Sequence, residues 1–126
     1  LYQKLAEEYA KFANLLIQNA DLQLMTGDVP DAVLTPEQKE RKKIIFDMLV
    51  ALFERAYILV YEEKMNRQTA RLWQTWEDYM RYWCRRHDFR GRLPALLEGE
   101  DPDFQRHINA IAEKESVAAK TAPVSA

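Results

Sequence analysis

Apolar positions recur along this chain at the spacing of an α-helix. Leu5, Tyr9, Phe12, Leu16 and Ala20 step by three and four, widened by Ala13 and Ile17. Lys4, Glu7, Glu8, Lys11 and Gln18 lie mainly on the opposite side, so the pattern predicts a helix from Leu1 to about Leu24. Gly27 and Pro30 then interrupt it. The next start signal is the clearest in the chain: Thr35 at an N-cap position, Pro36 at the first helical position, and Gln38 where a capping box needs it. A charged section to Lys43 gives way to a wide apolar face of Ile44, Ile45, Met48, Leu49, Leu52, Phe53, Ala56, Tyr57, Leu59 and Val60. That face predicts a central helix ending near Lys64 to Asn66.

A third helix is expected over Gln68 to His87. Its stripe of Trp73, Trp76, Met80 and Trp83 contains every tryptophan in the protein. Side chains that large at helical spacing belong in a core. Gly91 and Pro94 punctuate the next stretch, leaving Leu93 to Leu97 as a short helical turn. Asp101 and Pro102 open a last helix with Phe104, Ile108, Ile111 and Ala112 as its stripe. The expected fold class is all-α: an antiparallel bundle of about four helices with a short connecting helical turn. The bundle covers 1–115, and 116–126, small and polar, reads as a flexible C-terminal tail.

Composition agrees. The 126 residues suit one domain, 48% are hydrophobic, and only three are glycine. The net charge of -2 gives no global reason to bind nucleic acid, and none is expected as a partner. No apolar run approaches the ~20 residues of a membrane span. The lone Cys84 cannot form an internal disulfide, and its place in the aromatic helix fits a reducing compartment.

Candidate chemistry is sparse. The two histidines, His87 and His107, fall on different predicted helices, and no Glu-x-x-His pair exists, so no metal or cofactor is expected. Cys84 and His87 stand one turn apart, yet a buried structural cysteine is the simpler reading. No nucleophile motif or phosphate loop occurs, and no enzyme is expected. The strongest polar feature is the group Arg81, Arg85, Arg86, Arg90 and Arg92. Charge at a helix C-terminus accounts for part of it. The functional alternative is contact with anionic lipid headgroups or an acidic protein partner. The acidic run Glu98, Glu100, Asp101 and Asp103 reads as local charge balance and helix-start stabilisation. A second alternative is a small-ligand sensor with a pocket between the central and aromatic helices, formed by Glu54, Tyr57, Trp73 and Trp76. The apolar face of helix one, with Tyr2, Tyr9 and Phe12, offers a surface for a homodimer.

Several short elements occur in a fixed order: Asn19-Ala20-Asp21-Leu22, then Phe53-Glu54-Arg55-Ala56-Tyr57, then Leu72-Trp73-Gln74-Thr75-Trp76, followed by Trp83, Phe89 and Phe104. In this order they resemble the cytosolic helical domain of small bacterial membrane-anchored proteins of unknown function. The resemblance runs from about Leu1 to Ile111 and brings no catalytic residues. It implies a domain on the cytoplasmic side of a membrane, acting on a protein partner or on its own membrane-embedded region. The opening at Leu1, already inside a helical pattern, fits an upstream span.

Overall fold

The computed structural model describes residues 1–27 and 29–121. Among them the fold is all-helical, with five α-helices and no strand. They are α1 (Tyr2–Gln18), α2 (Pro36–Val60), α3 (Arg67–Cys84), α4 (His87–Leu96) and α5 (Pro102–Thr121). The chain divides into two compact units, Leu1–Lys64 and a second beginning at Met65, where the sequence predicts a single bundle over 1–115.

In the first unit α1 packs on α2. α1 stops at Gln18, earlier than Leu24, for a local reason. The Asn19 side-chain amide donates to the Leu15 carbonyl at 2.8 Å. A 3-10 turn at Ala20–Leu22 comes next, and Gln23 takes a left-handed φ of 51°. The stop is therefore an asparagine cap ahead of Gly27 and Pro30. The connection is not bare: Leu22, Leu24 and Leu34 are all buried. α2 begins as its sequence predicts. The Thr35 hydroxyl accepts from the Gln38 amide at 3.1 Å, and the Gln38 side chain accepts from the Thr35 amide at 2.9 Å.

Two cations tie this connection to the start of α2. Arg41 donates to Asn19 at 2.8 Å, to Asp21 at 2.7 and 3.1 Å, and to Glu37 at 2.6 Å. Hydrogen bonds from Arg41 and Gln38 hold the Asp21 carboxyl well below the usual range. Lys42 is fully buried, with its ammonium 3.2 Å from Asp31 and over the Phe46 ring at 5.9 Å. Because the residues just after α1 meet the start of α2, the two helices run antiparallel.

α2 ends at Val60, before the expected Lys64 to Asn66. Asn66 opens the next helix instead: its side-chain oxygen accepts from the Thr69 amide at 2.8 Å.

In the second unit α3 packs on α5 and on α4. Trp73, Trp76, Met80 and Trp83 are all buried, as the stripe requires. α3 ends at Cys84, three residues short of His87, and α4 takes in both Gly91 and Pro94, which local propensity marks as punctuation. Phe89, Leu93 and Leu96, spaced by four and three, are buried and hold α4 together despite the amide that Pro94 lacks. α5 starts at its predicted cap, with the Asp101 carboxylate accepting from the Phe104 amide at 3.0 Å. It continues to Thr121, so residues 116–121 are helix where a tail is expected; 122–126 lie outside the described residues.

Two cross-links give the direction of α5. Glu77 meets His107, and Arg85 meets Glu115, at the same sequence offset. α3 and α5 therefore run parallel, with α4 in the return connection, whereas the sequence pattern suggests antiparallel neighbours throughout.

Candidate interaction face

α2 is apolar over more of its circumference than its core uses. Ile45, Phe46, Leu49, Val50, Leu52, Phe53, Ala56 and Val60 are buried. Ile44, Met48, Ile58 and Leu59 remain between 46% and 57% exposed. Scattered exposed apolar residues are ordinary; an aligned set on one helix is a candidate interaction surface. At about 100° per residue, Ile44, Met48, Ala51 and Ile58 fall on one side of α2, with the exposed Arg55 among them.

Beside this stripe a groove of about 420 Å³ runs between α1 and α2. Phe12 and Leu15 from α1 and Met48, Ala51 and Leu52 from α2 line it, with Glu8, Lys11 and Arg55 also along it. Spacings of three and four on both helices make it a trough parallel to their axes. Its charges differ in their engagement. Glu8 is flanked by Lys4 at 3.4 Å and Lys11 at 3.5 Å, and the charge of Lys11, with the bond from Lys4, lowers its carboxyl. Arg55 has no ion-pair partner among the described residues.

The five arginines Arg81, Arg85, Arg86, Arg90 and Arg92 do not make one surface. Arg86 is buried and forms a two-pronged pair with Asp88, at 3.0 and 2.8 Å. Arg90 donates to the backbone carbonyls of Cys84 at 2.9 Å and Arg85 at 3.0 Å, which caps the end of α3. Arg85 lies 3.5 Å from Glu115, and Arg81 lies 3.7 Å from Asp78. Arg92 is half-buried. Arg90 thus joins α4 to the end of α3 and Arg85 joins that end to α5, whereas Arg81 pairs within α3 and Arg86 at the start of α4.

The residues expected to form a pocket are divided between the units. Glu54 and Tyr57 stand half-buried on α2, and the Tyr57 ring stacks on Tyr61 at 4.8 Å. Trp73 and Trp76 are core residues of α3, and Trp76 meets Tyr79 edge-on at 5.6 Å. None of the four lines the α1–α2 groove. Of the face expected for a dimer on α1, Phe12 is buried, Tyr9 is half-buried, and Tyr2 is exposed.

One acid–base pair has no signature in the sequence. The Glu77 carboxylate accepts from the Trp73 indole N–H at 3.0 Å and contacts His107 Nε2 at 2.8 Å. The imidazole also meets the Trp73 ring edge-on at 5.8 Å. Burial by itself would raise the Glu77 carboxyl, but the His107 bond and charge, the Trp73 bond and the Arg81 charge outweigh it and lower it. Thirty residues separate the pair, so only the pairing of α3 with α5 could reveal it. The cluster ties those helices together through bonds internal to the unit. Cys84 is buried, and desolvation pushes its thiol up to about 12, which keeps it protonated and unreactive at neutral pH. Among the described residues no cluster of three or more His, Cys, Asp or Glu side chains is placed to hold a metal ion. No helix there is long and apolar enough to cross a membrane.

Comparison of the chain with protein-family models, with curated proteins and with solved structures finds no match to any of them.

Proposed function

We propose that this chain is a non-enzymatic interaction module whose binding surface is the outer face of α2 and its groove against α1. The observation that carries the reading is the aligned, exposed set Ile44, Met48, Ala51 and Ile58 beside a trough floored by Phe12, Leu15 and Leu52. A trough of this form takes the apolar face of an amphipathic helix, anchored at intervals of three and four residues. The chemistry elsewhere supports a binding role over catalysis: Glu77 and His107 are engaged with each other and with Trp73, and the Cys84 thiol is held protonated. Protein partners are favoured over lipid headgroups, because Arg86 and Arg90 are committed to contacts within the second unit.

The resemblance noted in the sequence adds a membrane tether and a position on the cytoplasmic side to this reading. A photo-crosslinking residue at Met48 tests the surface in cells. A discrete protein adduct is expected there, and it should disappear with Leu15→Glu. A probe at Lys39, placed as a control, should give none. No adduct at Met48, or equal adducts at both sites, would reject the surface. Separation of membranes from cytosol tests the tether, with the native protein expected in the membrane fraction after carbonate washing.

A further inference from the structure

The exposed side of α2 is not simply apolar; its residues are arranged symmetrically about Ala51. Ile44 and Ile58 lie seven residues before and after it, and Asp47 and Arg55 four before and after. At about 100° per residue these five positions fit within about 80° of arc, and all five are exposed. Among the described residues neither Asp47 nor Arg55 has an ion-pair partner.

We infer that the partner on this face is a second copy of the chain, with the two α2 helices packed antiparallel about a two-fold axis beside Ala51. The inference rests on the interaction-face reading and gives that face its occupant. In a two-fold antiparallel pair, residues equidistant from the axis stand at the same level. Ile44 then meets the partner's Ile58, and Asp47 stands level with the partner's Arg55. Ala51 faces its own copy, where a small side chain lets the backbones approach. The order along the seam is apolar, charged, small, charged, apolar, and it reads identically from both chains. Asp47 and the partner's Arg55 lie on opposite sides of the seam, and the arginine side chain is long enough to span it at that level. Each dimer would contain this ion pair twice, and an unrelated partner has no reason to match that symmetry. The charges select the register and the antiparallel sense, since a parallel pair in the same register would put Asp47 against Asp47 and Arg55 against Arg55.

Light scattering on the eluting chain across a concentration series reads the state directly. The expected mass at high concentration is twice the 14.9 kDa of one chain. Asp47→Arg alone and Arg55→Asp alone should each weaken association about tenfold or more, because like charges then face each other across the axis. The double variant Asp47→Arg with Arg55→Asp should restore it. Both positions are exposed, and circular dichroism verifies that each variant is folded. Ala51→Cys should give a covalent dimer under mild oxidation. A single-chain mass at every concentration, or a dimer indifferent to the charge swaps, would overturn the inference. In either case the adduct at Met48 decides separately whether the face binds another protein.

Discussion

The two units of this chain use their large apolar residues differently. In the second unit Trp73, Trp76, Met80, Trp83, Phe89, Leu93, Phe104 and Ile108 are all buried, and the polar groups at the helix junctions answer one another. In the first unit a single helix, α2, buries eight apolar side chains and leaves four more in water. The first arrangement is that of a core. The second is that of a core with an unused face. Aromatic bulk, the louder signal in the sequence, therefore marks the core, whereas the quieter aliphatic excess is what the proposed interaction rests on.

The strongest way to break this contrast is to truncate one side chain in each unit. Trp76→Ala should lower stability by roughly 3–5 kcal/mol, measured by denaturant unfolding followed by circular dichroism. Ile58→Ala, removing an exposed side chain from α2, should change monomer stability by no more than about 0.5 kcal/mol. Comparable losses at the two sites would erase the distinction between core and face.

The Glu77 cluster sharpens it from the polar side. Glu77→Ala leaves the Trp73 N–H and the His107 ring without their carboxylate, at a cost of roughly 1–3 kcal/mol. Its pH dependence has a definite sign. The folded carboxyl titrates below its ordinary value, so its contribution is complete above the unfolded value and is lost as pH falls through the folded one. Stability of the wild-type chain should decline through the acidic carboxylate range, and Glu77→Gln should flatten part of that decline. An unchanged acid profile in the variant would mean that the bond to His107 contributes nothing to holding α3 on α5.

How far the sequence reveals these features depends on distance along the chain. Signals completed within one helix are legible: the Thr35–Gln38 capping box, the Asp101 cap and the tryptophan stripe. Asn66 misleads, because an asparagine between two polar stretches suits the end of one helix as well as the start of the next. Pro94 reads as a break because local propensity disfavours it, while the packing of Phe89, Leu93 and Leu96 overrides that preference. The arginines are legible as a group and misleading as a surface. Nothing local distinguishes Arg90, which caps α3 through two carbonyls, from a solvated cation. Glu77 with His107, and the parallel course of α3 and α5, require tertiary pairing to become visible. The exposed side of α2 is hidden by its own richness, since its pattern shows a wide apolar face without showing which part the fold covers.

The smallest expected effect tests the cap that starts α2. Thr35→Ala removes the acceptor for the Gln38 amide but leaves the Gln38 side chain able to accept from residue 35's own amide. The loss should be about 1 kcal/mol, typical of one N-cap. The residues around it should limit fraying, because Arg41 still joins α2 to Asn19 and Asp21, and Lys42 still meets Asp31. Hydrogen exchange should therefore quicken in the first turn of α2 and stay slow from Ile45 onward, where the buried face begins. Fast exchange reaching Met48 and Ala51 would mean that the proposed face is held by the cap rather than by the core beneath it. The contrast between a rigid face and the water that covers it would then have to be redrawn.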